Sequence, residues 1–95
     1  MRKYEAVYIL TPELEEDQVE ETNKEWDSVI ERFGGEPVEV DVWGKKRLAF
    51  EIDDYQEGIY VQQTFQGDKQ VTEELERSLK MSDRVIRYLI TRLDR

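Results

Sequence analysis

Six segments of this chain carry apolar residues at two different periods, and the order of those segments restricts the fold more than any other property. Tyr4 to Leu10 is strand-like, rich in Tyr, Val and Ile. One face carries Tyr4, Ala6, Tyr8 and Leu10; the other carries Lys3, Glu5, Val7 and Ile9, as expected of a central strand apolar on most of both faces. Pro12 ends it. Glu13, Glu15, Glu16 and Asp17 then crowd a helix start, where carboxylates meet the positive end of the helix dipole. Val19, Thr22, Trp26, Val29, Ile30 and Phe33 recur at helical spacing, and Gly34-Gly35 stops the helix.

A long second strand follows. Val38, Val40 and Val42 alternate with Glu39, Asp41 and Trp43, Gly44 marks a bulge or bend, and Leu48, Phe50 and Ile52 resume the alternation. Asp53 to Gly58 reads as an acidic turn and Ile59 to Phe65 as a third strand, which makes strands two and three a hairpin. Asp68 is placed to cap a second helix, whose apolar stripe is Val71, Leu75 and Leu79. Ser82-Asp83 breaks that helix, and Val85 to Thr91 is the last strand. Period two assigns Ile86, Tyr88 and Ile90 to one of its faces and Val85, Arg87 and Leu89 to the other.

Strand, helix, strand, strand, helix, strand is the α+β, ferredoxin-like plan. Right-handed crossovers place strands one and three in the middle of a four-stranded antiparallel sheet, with both helices on one face. No helix is left for the other face, where Val7, Ile9, Tyr60, Val85 and Leu89 are expected together with Lys3 and Arg87. Residues 1–95 are read as a single domain, small enough to bury roughly 60–65% of its unfolded surface.

Composition narrows the chemistry. There is no Cys and no His, which removes the thiolate nucleophile, the commonest general base and the commonest zinc ligands. Neither a phosphate loop, a dinucleotide glycine pattern nor a serine elbow is present. The carboxylates Glu13, Glu16, Glu20, Glu21, Glu25 and Glu31 read as a solvated helix face. The expectation is a chain without catalytic residues, metal, cofactor or small-molecule substrate. No apolar run approaches the ~20 residues of a membrane helix, so no membrane partner is expected.

Charge is unevenly spread. The net charge is -9, yet residues 1–44 hold 4 basic and 13 acidic side chains while residues 45–95 hold 10 of each. Lys45-Lys46-Arg47 puts three cations side by side, which helix or strand physics does not require. Two readings stay open: a sheet edge protected by charge against aggregation, or a basic hairpin that neutralises phosphates. Arg2, Lys3, Arg84, Arg87 and Arg92 add cations at the ends of strands one and four, and the adjacency of those strands suggests that Lys3 and Arg87 sit close together. Trp26 is expected in the core; Tyr60, by parity, is the better stacking residue; Trp43 fits either role.

Met1-Arg2-Lys3-Tyr4-Glu5, the block Trp43-Gly44-Lys45-Lys46-Arg47-Leu48-Ala49-Phe50, and Asp83-Arg84-Val85-Ile86-Arg87-Tyr88 together resemble the bacterial small-subunit ribosomal protein six family, in order and across essentially the whole chain. That resemblance implies a structural, non-enzymatic role in the cytoplasmic small ribosomal subunit. It implies binding to the central domain of small-subunit rRNA together with small-subunit ribosomal protein eighteen, a basic partner that suits an acidic chain. Carried over to the matching blocks, the RNA-binding residues are Arg2, Lys3, Lys45, Lys46, Arg47, Arg87 and Arg92. The alternatives are a regulatory module or a single-stranded RNA-binding module of the same topology. The chain departs from that family in two respects: it stops at Arg95, where many members continue into a charged tail, and it carries Gln62-Gln63 in strand three. One of those amides must face the core, either hydrogen-bonded inside or near the rim.

Overall fold

Residues 1–93 are described by a computed structural model. The elements are β1 (Arg2–Leu10), α1 (Glu16–Arg32), β2 (Glu36–Ile52), β3 (Tyr55–Gly67), α2 (Lys69–Met81) and β4 (Val85–Arg92). The sheet order is β2-β3-β1-β4 with every neighbouring pair antiparallel, so β1 and β3 are central as the crossovers require.

Both helices pack on one face. Tyr4, Ala6, Tyr8 and Leu10 from β1 and Ile59, Val61 and Phe65 from β3 meet Val19, Trp26, Val29 and Ile30 from α1 and Val71, Leu75 and Leu79 from α2. Fully burying a side chain of this kind is worth about 1.5–3 kcal/mol, and that apolar layer holds the helices down. Tyr4 stacks on Phe65 and Tyr8 meets Trp26 edge-on. The helix ends follow local chemistry. The Gln18 side chain accepts from the Glu15 N–H at 2.8 Å, Asp68 accepts from the Val71 N–H at 3.2 Å, and Gly34 (φ +91) lets the Gly35 N–H close back on Ile30 at 2.8 Å.

Gln63 is hydrogen-bonded inside rather than placed at the rim. It is 0% exposed, and its amide donates to Asp27. Beside it the Tyr8 hydroxyl donates to Asn23 Oδ1 at 2.6 Å. Burial, followed by the Asp27 charge, pushes the Tyr8 phenol well above its ordinary range. Burial also raises the Asp27 carboxyl, the Glu31 charge adds to that, and the Gln63 amide pulls it back down.

Three expectations change. The acidic turn is only Asp53-Asp54, both with positive φ (49 and 70), and Tyr55 already pairs with Ile52. Aspartate tolerates the left-handed region that a tight two-residue hairpin demands, so β3 begins earlier than its apolar run. In β4 the register steps from Ile9↔Arg87 to Leu10↔Val85, leaving Ile86 unpaired as a bulge. That extra residue reverses the parity. Val85 joins Tyr88 and Ile90 against the core, and Ile86 instead lies near Gly58 and Ile9. Finally, the valines of β2 are less covered than their alternation suggests: Val38, Val40 and Val42 are all exposed, because β2 is an edge strand that α1 covers only in part.

Candidate nucleic-acid interface

The last β1–β3 pair is Leu10↔Ile59, whereas β2 and β3 go on pairing through Lys46↔Gly58 and Arg47↔Glu57 and, after a register shift, at Ile52↔Tyr55 beside the Asp53-Asp54 tip. The hairpin therefore extends past the sheet as a two-stranded arm. Lys45, Lys46 and Arg47 stand where the arm leaves the sheet, and all three are exposed.

Alternation splits the run. Lys45 lies opposite Ile59 and Arg47 opposite Glu57, on the helix side; Lys46 lies opposite Gly58, on the open side. Lys45 lines an apolar groove of about 540 Å³ between α1 and β2, with Leu14, Val19, Val40, Val42 and Ile59. Arg47 faces a shallow hollow formed by Asp54, Tyr55, Gln56 and Glu57. The three cations thus form a ridge with positive charge on both sides of an edge strand, rather than one patch.

Among the described residues Arg2, Lys45, Lys46, Arg47 and Arg87 make no salt bridge. Arg84 is different. Its guanidinium donates to Glu21 at 3.0 Å, to Thr22 Oγ1 at 2.8 Å and to the Gln18 carbonyl at 3.4 Å, so it ties the start of β4 to α1.

Lys3 and Arg87 do not come together. Arg87 pairs with Ile9, six positions along β1 from Lys3, which separates their backbones by about 20 Å at ~3.4 Å per residue. Arg92 pairs with Tyr4, so Arg2, Lys3 and Arg92 mark one end of the sheet, and Arg87 shares the other end with the base of the arm. Two basic zones result, grouped differently from the order in which the sequence suggests them.

The open face holds one feature that strand parity reveals only in part. Tyr60 is on it as expected, opposite Ile9. Trp43 is on it too, as alternation from the core-facing Val42 requires; the bulge between Val42↔Val61 and Gly44↔Tyr60, with Gly44 at φ +98, brings Gly44 to the same face and turns over the residues that follow. The two rings lie nearly parallel, 6° apart in plane with centroids 6.3 Å apart. The glycine after Trp43 is the sequence signal for that bulge.

The acids of α1 are solvated, as their pattern indicates: Glu16, Glu20, Glu21, Glu25 and Glu31 are all exposed, and Glu13, also exposed, lies in the turn before the helix rather than on its face. Among the described residues no group of three or more acids could hold a metal ion, and no helix is long and apolar enough to cross a membrane.

Residues 3–92 match the family model described as ribosomal protein S6. The small ribosomal subunit protein bS6 of Natranaerobius thermophilus is 67% identical over 92 residues, covering 97% of this chain and 96% of that protein. The protein of the same name from Clostridium acetobutylicum is 46% identical over 95 residues, covering 100% of both. The crystal structure of 30S ribosomal protein S6 from Thermotoga maritima superposes with a TM-score of 0.89 at 29% identity, covering 97% of this chain and 87% of that one.

Proposed function

This chain belongs to the ribosomal protein S6 family, and from that premise we propose that it binds the central domain of small-subunit rRNA jointly with small-subunit ribosomal protein eighteen. As a family member it is a structural, non-enzymatic protein of the small ribosomal subunit, and so of the cytoplasmic ribosome. The observation that carries the proposal is the ridge of Lys45, Lys46 and Arg47: exposed, without salt bridges among the described residues, and held on a paired strand at the base of a projecting arm. Cations left unneutralised in a chain of net charge -9 suit a polyanionic ligand. The excess acid sits mainly in residues 1–44, much of it on the outer face of α1. It keeps RNA away from that side and supports association with a basic protein. Arg2, Lys3 and Arg92 at the far end of the sheet, and Arg87 nearer the arm, complete the proposed set.

The test is the double reversal Lys45→Glu, Arg47→Glu. Both side chains are exposed, so the melting temperature should move by no more than a degree or two, while affinity for a central-domain transcript in the presence of the basic partner should fall at least tenfold. A lower melting temperature with unchanged RNA affinity would make these cations structural and end the proposal.

A further inference from the structure

The Trp43–Tyr60 pair is not part of the core. Trp43 is 45% exposed, with Tyr60 stacked against one side of it. The stacking holds a large apolar ring at the surface in one orientation. Its surroundings on the open face suggest a use for it. The cross-sheet row runs Gly44, Tyr60, Ile9, Arg87, and Lys46 is the next open-face residue along β2. Ile9 and Ile86 crowd over Gly58, where a Cβ would collide with Ile9, so the floor beside the aromatic pair is apolar. Neighbouring strands stand about 4.8 Å apart, which puts the β2 and β4 backbones about 14 Å apart across this row. Lys46 and Arg87 therefore flank the platform from opposite sides, and neither has a salt bridge among the described residues. Between this corner and Lys3 at the other end of the same face stand Glu5, Glu39 and Asp41, whose carboxylates would repel phosphate and so set the corner apart from the basic residues at the far end.

We infer that this corner of the open face is a stacking platform for an unpaired RNA base. The inference rests on the rRNA-binding reading above and specifies the form of nucleotide that the open face takes. The exposed indole supplies a π-face; Tyr60 holds that indole in place, which lowers the ordering cost of binding; Lys46 and Arg87 neutralise the phosphates on either side. Bases inside a duplex already stack on one another, so the occupant is a nucleotide from a loop, a bulge or a strand end. A helix-covered face has no room for this; alternation from the core-facing Val42 puts the ring on the uncovered side, and the bulge leaves only Gly44 beside it there.

The experiment titrates a central-domain small-subunit rRNA transcript, with the basic partner present, into the full chain and follows tryptophan emission. Trp26 is buried, so a change reports on Trp43. The expected results are quenching in the wild type and, by filter binding of labelled transcript since the variants lack the reporter ring, an affinity about tenfold weaker for Trp43→Leu with the same salt dependence and recovery of most of the loss in Trp43→Phe. Melting curves confirm that each variant is folded. Wild-type affinity in Trp43→Leu together with no quenching in the wild type would overturn the platform, while a simultaneous loss in the Lys45→Glu, Arg47→Glu variant would leave the RNA-binding reading intact. Loss of the basic partner from Trp43→Leu with RNA affinity retained would also overturn it, and would assign the surface to protein contact. Retention of RNA by the charge-reversed variant would strike the reading beneath it instead.

Discussion

Replacing Gln63 by Glu changes one atom group at the most enclosed polar position in the sheet. Gln63 is 0% exposed and its amide nitrogen donates to the Asp27 carboxylate. A glutamate there replaces the donor by an acceptor, so two carboxylates face each other and one must take a proton. Buried glutamates titrate as high as about 8, against about 4.3 in an unfolded chain. The folded state then binds the proton more tightly than the unfolded state. Stability relative to wild type is retained below pH ~4.3 and lost as pH rises towards the folded pKa, by about 1.4 kcal/mol per pH unit. The expected penalty is about 1 kcal/mol at pH 5 and about 4 kcal/mol at pH 7.5, a large share of the ~5–15 kcal/mol that holds a small domain together. Urea titrations at several pH values give the whole curve. Gln63→Leu is the control: it forfeits the hydrogen bond for about 1–3 kcal/mol with no comparable slope, since it adds no titrating group. A Gln63→Glu penalty that is flat between pH 5 and 7.5 would refute the enclosed position of Gln63 and the packing built around it.

Asp27→Asn keeps an acceptor for Gln63 but removes the like charge four residues from Glu31. Because folding raises the Asp27 carboxyl, its ionised form costs stability at neutral pH; the variant should be about 0.2–0.5 kcal/mol more stable at pH 7, with the gain vanishing as pH falls through the carboxylate range, as thermal melts at both ends would show. Gly58→Ala should cost about 1–3 kcal/mol in chemical denaturation, because the new methyl collides with Ile9 and crowds the Leu10 carbonyl at 3.1 Å. Arg84→Ala should cost about 1 kcal/mol, and the loss should persist at high salt, since Thr22 and the Gln18 carbonyl are neutral partners and the Glu21 carboxylate is exposed.

The fold was legible because its evidence is local. Alternation in Tyr4–Leu10, helical spacing from Val19 to Phe33, the Gly34-Gly35 stop and the Asp68 cap each act within a few residues, and chirality then restricts how the pieces connect. The departures in which face a residue takes arise where one inserted residue resets the alternation. Bulges at Trp43 and Ile86 turn their neighbours over, and nothing in the composition of β4 distinguishes a paired Ile86 from an unpaired one. The candidate interface was legible as residue types and not as an arrangement. Lys45, Lys46 and Arg47 are adjacent in sequence but alternate across an edge strand, and the distance from Lys3 to Arg87 depends on a register that only the folded sheet defines. Arg84 looks like its neighbours in sequence, yet it holds α1 to β4, because its partners come from the other end of the chain.

Whether the arm neutralises phosphates is read most directly from the salt dependence of binding. Affinity for the central-domain transcript, with the basic partner present, should be measured across a salt series for the wild type and for the triple variant Lys45→Gln, Lys46→Gln, Arg47→Gln. Three lost phosphate contacts at about 0.7 each should flatten the slope of log K against log salt by about 2. Parallel slopes with equal affinity would mean that these three cations never meet RNA.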